Sequence, residues 1–246
     1  MGLFLKKRAV TGLIFCLFFI PSQTYAGKTS DHLYEDFFLY IPSAALKGQT
    51  VPVIIALSGS GVSPKEDILH WRPMAEQKGF FVLDFDIHYD SLKEEADIVK
   101  LHERIQYFIG DLSERYHFDR REIFLAGSSA GAVTAFALSL RYPAEYRDAA
   151  LVSGATIHFQ SEDYLKNAKR VRYLIIHGNR DESIPLERVY MAKNALEKNG
   201  SQVTMKLVPG GKHALPASAY RDAVNWFYSI YVAPQRKYAR MMRGAG

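Results

Sequence analysis

Cysteine is almost absent from this chain of 246 residues: Cys16 stands alone, in an apolar stretch near the amino terminus. Once that stretch is removed, the remainder has no disulfide, no thiol nucleophile and no thiolate metal ligand. The histidines show no His-x-x-x-His spacing, so no metal site is expected. Long apolar runs are also missing. The longest, residues 9–20, is shorter than the roughly 17 residues that a membrane-spanning helix requires.

The first residues have the pattern of a secretory signal. Basic residues 6–8 precede the apolar run 9–20, Pro21 ends that run, and the small residues Thr24 and Ala26 occupy the positions that a signal peptidase reads. We therefore expect cleavage after Ala26 and a protein that is secreted or periplasmic, with no integral membrane span once the signal is removed.

The net charge of +5 is concentrated at the two ends of the chain. Removing the signal, residues 1–26, also removes three basic residues and lowers the net charge to +2. Much of the rest is in residues 234–246, which we predict to be a basic, solvated tail without a nucleic-acid partner. Residues 27–233 then form one domain.

Apolar runs and helical stretches alternate through that domain. The predicted strands are 35–41, 51–57, 80–85, 122–126, 149–153, 172–177 and 203–208. The predicted helices are 65–78, bent or broken at Pro73, then 94–116, 130–141, 186–198 and 217–230. This alternation indicates an α/β fold, a mostly parallel sheet with helices on both faces. The link between residues 153 and 172 leaves little room for a lid domain.

The segment Gly127-Ser128-Ser129-Ala130-Gly131 joins a predicted strand to a predicted helix. In that context the pattern Gly-x-Ser-x-Gly indicates a nucleophilic serine on a sharp turn. Glycines two residues before and after Ser129 remove Cβ atoms that would collide with the neighbouring strand and helix. The helix amino terminus favours a developing anion.

A serine nucleophile needs a base and a group that orients the base. His213 follows the last predicted strand and Asp181 follows the strand before it, so the chain order is Ser, Asp, His. Asp181 could instead cap the helix that begins at Leu186, and its neighbour Glu182 is a rival for the acid. The oxyanion donors would be the N–H groups of Ala130 and of Ser60, in the loop Ser58-Gly59-Ser60-Gly61.

These motifs resemble those of the α/β-hydrolases, and the resemblance covers residues 35–231. It rests on the serine turn 127–131, the acid loop 177–185 and the base loop 211–213. The small, lidless layout is similar to secreted esterases of the polyhydroxybutyrate-depolymerase and feruloyl-esterase types, and to dienelactone-hydrolase-like and carboxylesterase/phospholipase-like proteins. It departs from them in having Ser58-Gly59 where these relatives usually carry His-Gly.

The resemblance implies a serine esterase that needs no cofactor and acts on a small-molecule or polymeric carboxylic ester. Two alternatives remain open. One is a peptidase of the prolyl-oligopeptidase type, and the other is a non-catalytic binding protein on the same fold.

Several further residues lie near the predicted site. Candidate substrate walls are Trp71, His88, Tyr89, His158 and Phe159. We expect Asp84 and Asp86 to be loop or rim residues, and His177 to pack or hydrogen-bond beneath the acid loop.

Overall fold

The apolar runs of the sequence form the strands of a twisted α/β sheet. The computed structural model describes residues 23–28, 36–85, 87–92, 94–157 and 163–243. Within these ranges the strands are β1 (Gln23–Lys28), β2 (Asp36–Ile41), β3 (Val51–Leu57), β4 (Phe81–Phe85), β5 (Phe118–Ser128), β6 (Asp148–Val152), β7 (Arg172–Gly178) and β8 (Gln202–Val208). They form one sheet in the order β1-β2-β4-β3-β5-β6-β7-β8. The fold is that of the α/β-hydrolases.

The direction of the strands determines where a site can form. From β4 to β8 every pair is parallel, whereas β2 pairs antiparallel with β1 and with β4. The chain runs from β3 outward to β4 and then returns to the other side of β3 with β5, so connections leave β3 and β5 in opposite directions. Such a switch point opens a crevice at the carboxyl ends of the strands. The register matches Leu57 with both Phe85 and Gly127 there.

Helices cover both faces of the sheet. They are α1 (Ser43–Leu46), α2 (Pro64–Lys78), α3 (Glu95–Arg115), α4 (Ala130–Arg141), α5 (Leu186–Lys198) and α6 (Ala217–Arg243). One apolar core lies between the sheet and α3, α4 and α5, and the other lies between the sheet and α2 and α6. Strand β3 is buried along its whole length because helices pack on both of its sides.

Several elements differ from the sequence prediction. Strand β1 and helix α1 were not predicted. Helix α2 continues through Pro73, so it is not broken there. Strand β5 begins at Phe118, four residues before the predicted start, because Phe118 pairs with Val51 ahead of a register shift. Helix α6 extends to Arg243, beyond its predicted end at residue 230 and into residues 234–246, which were predicted to be a basic, solvated tail.

Candidate active site

Ser129 occupies a strained turn between β5 and α4. Its φ of 50° and ψ of −120° are rare for a residue with a side chain. A Cβ on Gly127 would lie 2.4 Å from the backbone of Gly131, and a Cβ on Gly131 would lie 1.9 Å from the carbonyl oxygen of Leu57. Both glycines are therefore required by close backbone contact, as the sequence predicted. The turn can close only without these two side chains.

Backbone contacts hold the acid loop against the base loop. A Cβ on Gly178 would lie 2.3 Å from the carbonyl oxygen of Gly211, so the two loops touch at their glycines. The N–H of Arg180 donates to the same Gly211 oxygen at 2.8 Å. The Asn179 side chain accepts from the N–H of Gly210 at 2.7 Å. The relative position of the loops after β7 and β8 is thus fixed by main-chain geometry.

Ser129, His213 and Asp181 form a continuous hydrogen-bonded chain. The distance from Ser129 Oγ to His213 Nε2 is 2.7 Å, and the distance from His213 Nδ1 to Asp181 Oδ2 is 2.8 Å. The Asp181 side chain is fully buried, whereas 31% of the His213 side chain is exposed. The structure therefore brings together the three residues that the sequence singled out, and the histidine faces solvent.

The carboxylate of Asp181 is held by donors on both oxygens. Its Oδ1 accepts from the N–H groups of Ser183 and Ile184, each at 2.9 Å, while its Oδ2 faces His213. Burial alone would raise the pKa of Asp181, but these donors and His213 outweigh burial and the pKa is lowered. Asp181 is thus a carboxylate at neutral pH, and both oxygens have defined roles.

His177 lies beneath the acid loop and is completely buried. Its Nε2 donates to the carbonyl oxygen of Ile184 at 2.9 Å and lies 3.5 Å from Asp181 Oδ2. This confirms the expectation that His177 supports the loop from below.

The loop after β3 packs directly over the serine. A Cβ on Gly59 would lie 3.4 Å from the Cβ of Ser129. The loop turns at this point, since the N–H of Val62 donates to the carbonyl oxygen of Gly59 at 3.0 Å. Ala130 is the first residue of α4, so its N–H has no acceptor inside the helix. Ser60 and Ala130, the predicted oxyanion donors, therefore lie on the two segments that border Ser129 Oγ.

The chain after β6 supports the serine from another side. Ser153 has a positive φ of 52°, and the next residue, Gly154, has no room for a side chain. A Cβ on Gly154 would lie 2.2 Å from the carbonyl oxygen of Ser129. This contact was not predicted from the sequence, although the Ser-Gly pair at the end of a buried strand is a signal for it.

The prediction that Asp84 is a loop or rim residue is wrong, because Asp84 is completely buried within β4. Asp86 lies outside the described residues. The Asp84 carboxyl interacts with that of Asp67, a buried residue of α2. Burial, and then the negative charge of Asp67, raise the pKa of Asp84 well above its usual value. Burial also raises the pKa of Asp67, although the hydrogen bond from Trp71 opposes this rise. Asp84, which is completely buried and faces the charge of Asp67, is therefore the member of the pair that binds a proton more readily.

The carboxyl pair belongs to a buried polar network under the site. Asp67 accepts from Trp71 Nε1 at 2.8 Å and also interacts with the Tyr220 hydroxyl, which in turn bonds to the Ser128 side chain. On the other side, Ser58 Oγ lies 3.2 Å from Asp84 Oδ1 and 2.8 Å from the carbonyl oxygen of Phe85. The network thus connects the loop after β3 with the residue before the nucleophile. A lone aspartate in the apolar run of β4 was the signal in the sequence.

The residues predicted to line the substrate site lie in different environments. Trp71 is fully buried and hydrogen-bonded to Asp67, so it is not a wall residue. Tyr89 lines a cavity beside Ala130, as predicted. His88 is partly buried at the start of the same loop. His158 and Phe159 lie outside the described residues.

A larger cavity of about 390 Å³ lies at the opposite, amino end of the strands. Charged residues of both signs line it, and Arg172 there is paired with Asp148 at 2.6 Å and 2.9 Å. It lies at the other end of the strands from Ser129, and none of its described lining residues is a serine, cysteine or histidine.

The fold and the hydrogen-bonded serine define the general class, an α/β-hydrolase with the geometry of a serine hydrolase. Residues 73–230 match the family model described as Phospholipase/Carboxylesterase. The chain belongs to this family and is a hydrolase of carboxylic esters. No curated protein matches it. Among the described residues, no helix is long and apolar enough to cross a membrane.

Solved structures with low sequence identity have the same fold. An S-formylglutathione hydrolase from Agrobacterium tumefaciens is 16% identical with a TM-score of 0.67, and the alignment covers 85% of this chain and 94% of that one. Esterase B from Lactobacillus rhamnosis is 15% identical with a TM-score of 0.67, covering 90% of each chain. A putative dipeptidyl aminopeptidase IV from Bacteroides ovatus is 18% identical with a TM-score of 0.62, covering 85% of this chain and 35% of that one.

Proposed function

We propose that this protein hydrolyses carboxylic esters through an acyl-enzyme, with Ser129 as nucleophile, His213 as general base and Asp181 as the group that orients His213. The observation that supports this most directly is the pair of hydrogen bonds, 2.7 Å from Ser129 Oγ to His213 Nε2 and 2.8 Å from His213 Nδ1 to Asp181 Oδ2. Asp181 keeps the proton of the neutral imidazole on Nδ1, so that Nε2 is free to accept the proton of Ser129.

The reaction then proceeds in two halves. Ser129 Oγ attacks the acyl carbon while its proton passes to His213, and the N–H groups of Ala130 and Ser60 stabilise the oxyanion. The oxyanion collapses, the bond to the alcohol oxygen breaks, and His213 gives its proton to that oxygen. In the second half His213 takes a proton from water, the hydroxide attacks the acyl-enzyme, and Ser129 leaves with the proton. No cofactor takes part in these steps.

The experiment combines activity with active-site labelling. We expect hydrolysis of p-nitrophenyl butyrate, and a fluorophosphonate adduct that mass spectrometry places on Ser129. Ser129→Ala should abolish both, whereas Ser128→Ala should still be labelled at Ser129, since the Ser128 hydroxyl is buried and bonded to Tyr220. A Ser129→Ala variant as active as the wild type would refute the proposal.

The same assay tests the two alternatives. A dipeptidyl p-nitroanilide that is cleaved faster than the ester would favour a peptidase. Folded wild-type protein that takes no label at all would favour a binding protein.

We also propose that the protein is exported, on the strength of the signal pattern before Ala26. Strand β1 spans the predicted cleavage position, so cleavage there would remove residues 23–26 from its pairing with β2. Amino-terminal sequencing of the exported protein tests this, and a cytoplasmic, uncleaved product would contradict it.

A further inference from the structure

A cavity of about 200 Å³ opens beside the nucleophile, between α3, α4 and the loop after β4. It begins at Ala130, one of the proposed oxyanion donors. Its lining consists of Tyr89, Leu92, Ile98, Ala130, Val133, Thr134 and Ala137. We call this cavity the α3–α4 groove.

The position of the groove relative to His213 determines which part of an ester it would hold. His213 approaches Ser129 from the β8 side of the sheet, whereas the loop after β4, which carries Tyr89, lies on the opposite side of β5. Because His213 must protonate the departing alcohol, the alcohol has to leave on the β8 side. The acyl group then extends toward the groove.

The polar side chains of the lining direct their hydroxyls elsewhere. Thr134 Oγ1 donates to the carbonyl oxygen of Ala130 at 3.1 Å, inside the helix. The Tyr89 hydroxyl donates to the carbonyl oxygen of Ser58. Among the described residues, the remaining lining side chains are aliphatic and include Leu92, Ile98 and Val133. A sugar or an amide in the groove would lose its hydrogen bonds to water, which is costly, whereas an alkyl chain gains from burial.

The length of the groove follows from α4. Ala130 and Ala137 are seven residues apart, which corresponds to about 10 Å along a helix. Beyond Ala137 the side chains of Arg141, Glu95 and Tyr164 meet in a hydrogen-bonded cluster. An extended alkyl chain advances about 1.3 Å per carbon, given C–C bonds of about 1.5 Å. About eight carbons therefore reach from the oxyanion donor to this cluster.

We propose that the α3–α4 groove is the acyl site and that it selects linear alkyl acyl chains of about eight carbons. This inference rests on the proposed function and specifies its substrate class. The Arg141–Glu95–Tyr164 cluster sets the upper limit, because a longer chain has to displace a network of charged and hydroxyl groups.

The first test is a series of p-nitrophenyl esters from acetate to palmitate, in which only the acyl chain changes. We expect kcat/KM to rise by up to about fourfold per methylene as the groove fills, and to level off or fall beyond about eight carbons. A second pair, hexyl acetate and ethyl octanoate, separates the two sides of the ester. A preference for hexyl acetate would assign the groove to the alcohol and overturn the proposal, as would a kcat/KM that does not depend on acyl length.

Two substitutions on α4 should block the α3–α4 groove at different distances from Ala130. Val133→Phe fills it near Ala130 and should lower the octanoate-to-acetate ratio of kcat/KM by at least tenfold. Ala137→Leu fills it one turn further on and should shift the optimum to about five or six carbons. Met191→Phe enlarges an exposed side chain on α5 and serves as the control with an unchanged ratio.

Fluorophosphonate labelling distinguishes a failure of the groove assignment from a failure of the proposed function. If wild type and variants are labelled at Ser129 but the ratios do not change, the groove assignment is wrong and the proposed function stands. If wild type is not labelled, the proposed function itself fails. Circular dichroism shows whether each variant is folded, and Val133→Phe provides the test if the buried Ala137 does not accept leucine.

Discussion

Replacing Asp181 by asparagine should lower kcat by about 10⁴-fold, because backbone donors of the acid loop fix the orientation of the side-chain amide. One carboxylate oxygen, Oδ1, accepts the N–H groups of Ser183 and Ile184 at 2.9 Å, and the other accepts from His213 Nδ1 at 2.8 Å. An asparagine that keeps its oxygen on the two amides points its NH₂ group at His213. The imidazole must then carry its proton on Nε2, where it cannot accept the proton of Ser129.

The opposite orientation of the amide is the less stable one. It would turn an NH₂ group toward the N–H groups of Ser183 and Ile184, leaving two donors without an acceptor. At about 1–3 kcal/mol for each buried unsatisfied donor, the cost is about 2–6 kcal/mol, against one hydrogen bond regained with His213. The inactive arrangement therefore dominates. A 10⁴-fold loss corresponds to about 5.5 kcal/mol of transition-state stabilisation.

The assay is steady-state hydrolysis of p-nitrophenyl butyrate by wild type, Asp181→Asn and Glu182→Gln. Glu182 is the exposed neighbour that was the rival acid in the sequence, and its neutralisation should leave kcat within about threefold of wild type. A kcat for Asp181→Asn within tenfold of wild type would refute the reasoning, and so would an equal loss in Glu182→Gln. Thermal unfolding of each variant shows whether the loss reflects chemistry or folding.

Two further predictions concern stability. Gly131→Ala should prevent folding, because the new Cβ would lie 1.9 Å from the carbonyl oxygen of Leu57. Gly110→Ala should raise the free energy of unfolding by about 1 kcal/mol, because Gly110 lies in open space on α3 and alanine is the better helix former. Urea denaturation measures both effects. Asp84→Asn should gain stability relative to wild type as the pH rises above about 4, where aspartate in the unfolded chain loses its proton. The raised pKa of Asp84 makes folded wild type bind a proton that the unfolded chain releases, so wild type loses stability with rising pH while the neutral amide does not. A stability difference that is constant with pH would contradict this prediction.

The arrangement of Ser129, Asp181 and His213 could be predicted from sequence because each follows a strand that ends at the same edge of one sheet. Parallel strands carry their carboxyl ends to that edge, so residues 52 and 32 positions apart in the chain have to converge. The requirement for Gly127 and Gly131 could also be predicted, because a sharp turn between strand and helix leaves no space for a Cβ atom at these positions. The contact between Gly178 and Gly211 was not predicted, although both glycines lie in the loop motifs.

The buried carboxyl pair could not be predicted in the same way. Asp84 lies on a strand and Asp67 on a helix that packs against the same side of the sheet, and no periodicity within either element reveals the partner. An aspartate after an apolar run is usually a turn residue, so the rim was the natural expectation. Only the packing of α2 against β4 brings the two carboxyls together, and that packing depends on the whole of the second core.

The two sides of Ser129 differ in what forms them: main-chain contacts on one side and side chains on the other. The position of His213 and the choice of acyl chain should therefore depend on different residues. On the His213 side, the loops are joined by main-chain contacts between Gly178 and Gly211, which side-chain substitutions elsewhere do not alter. On the other side, the α3–α4 groove is lined by side chains such as that of Val133. Changes in the groove should therefore alter which acyl chain is hydrolysed without moving His213 away from Ser129. If the groove is the acyl site, substitutions in it should change selectivity for the acyl chain while the distance of 2.7 Å between Ser129 Oγ and His213 Nε2 is retained.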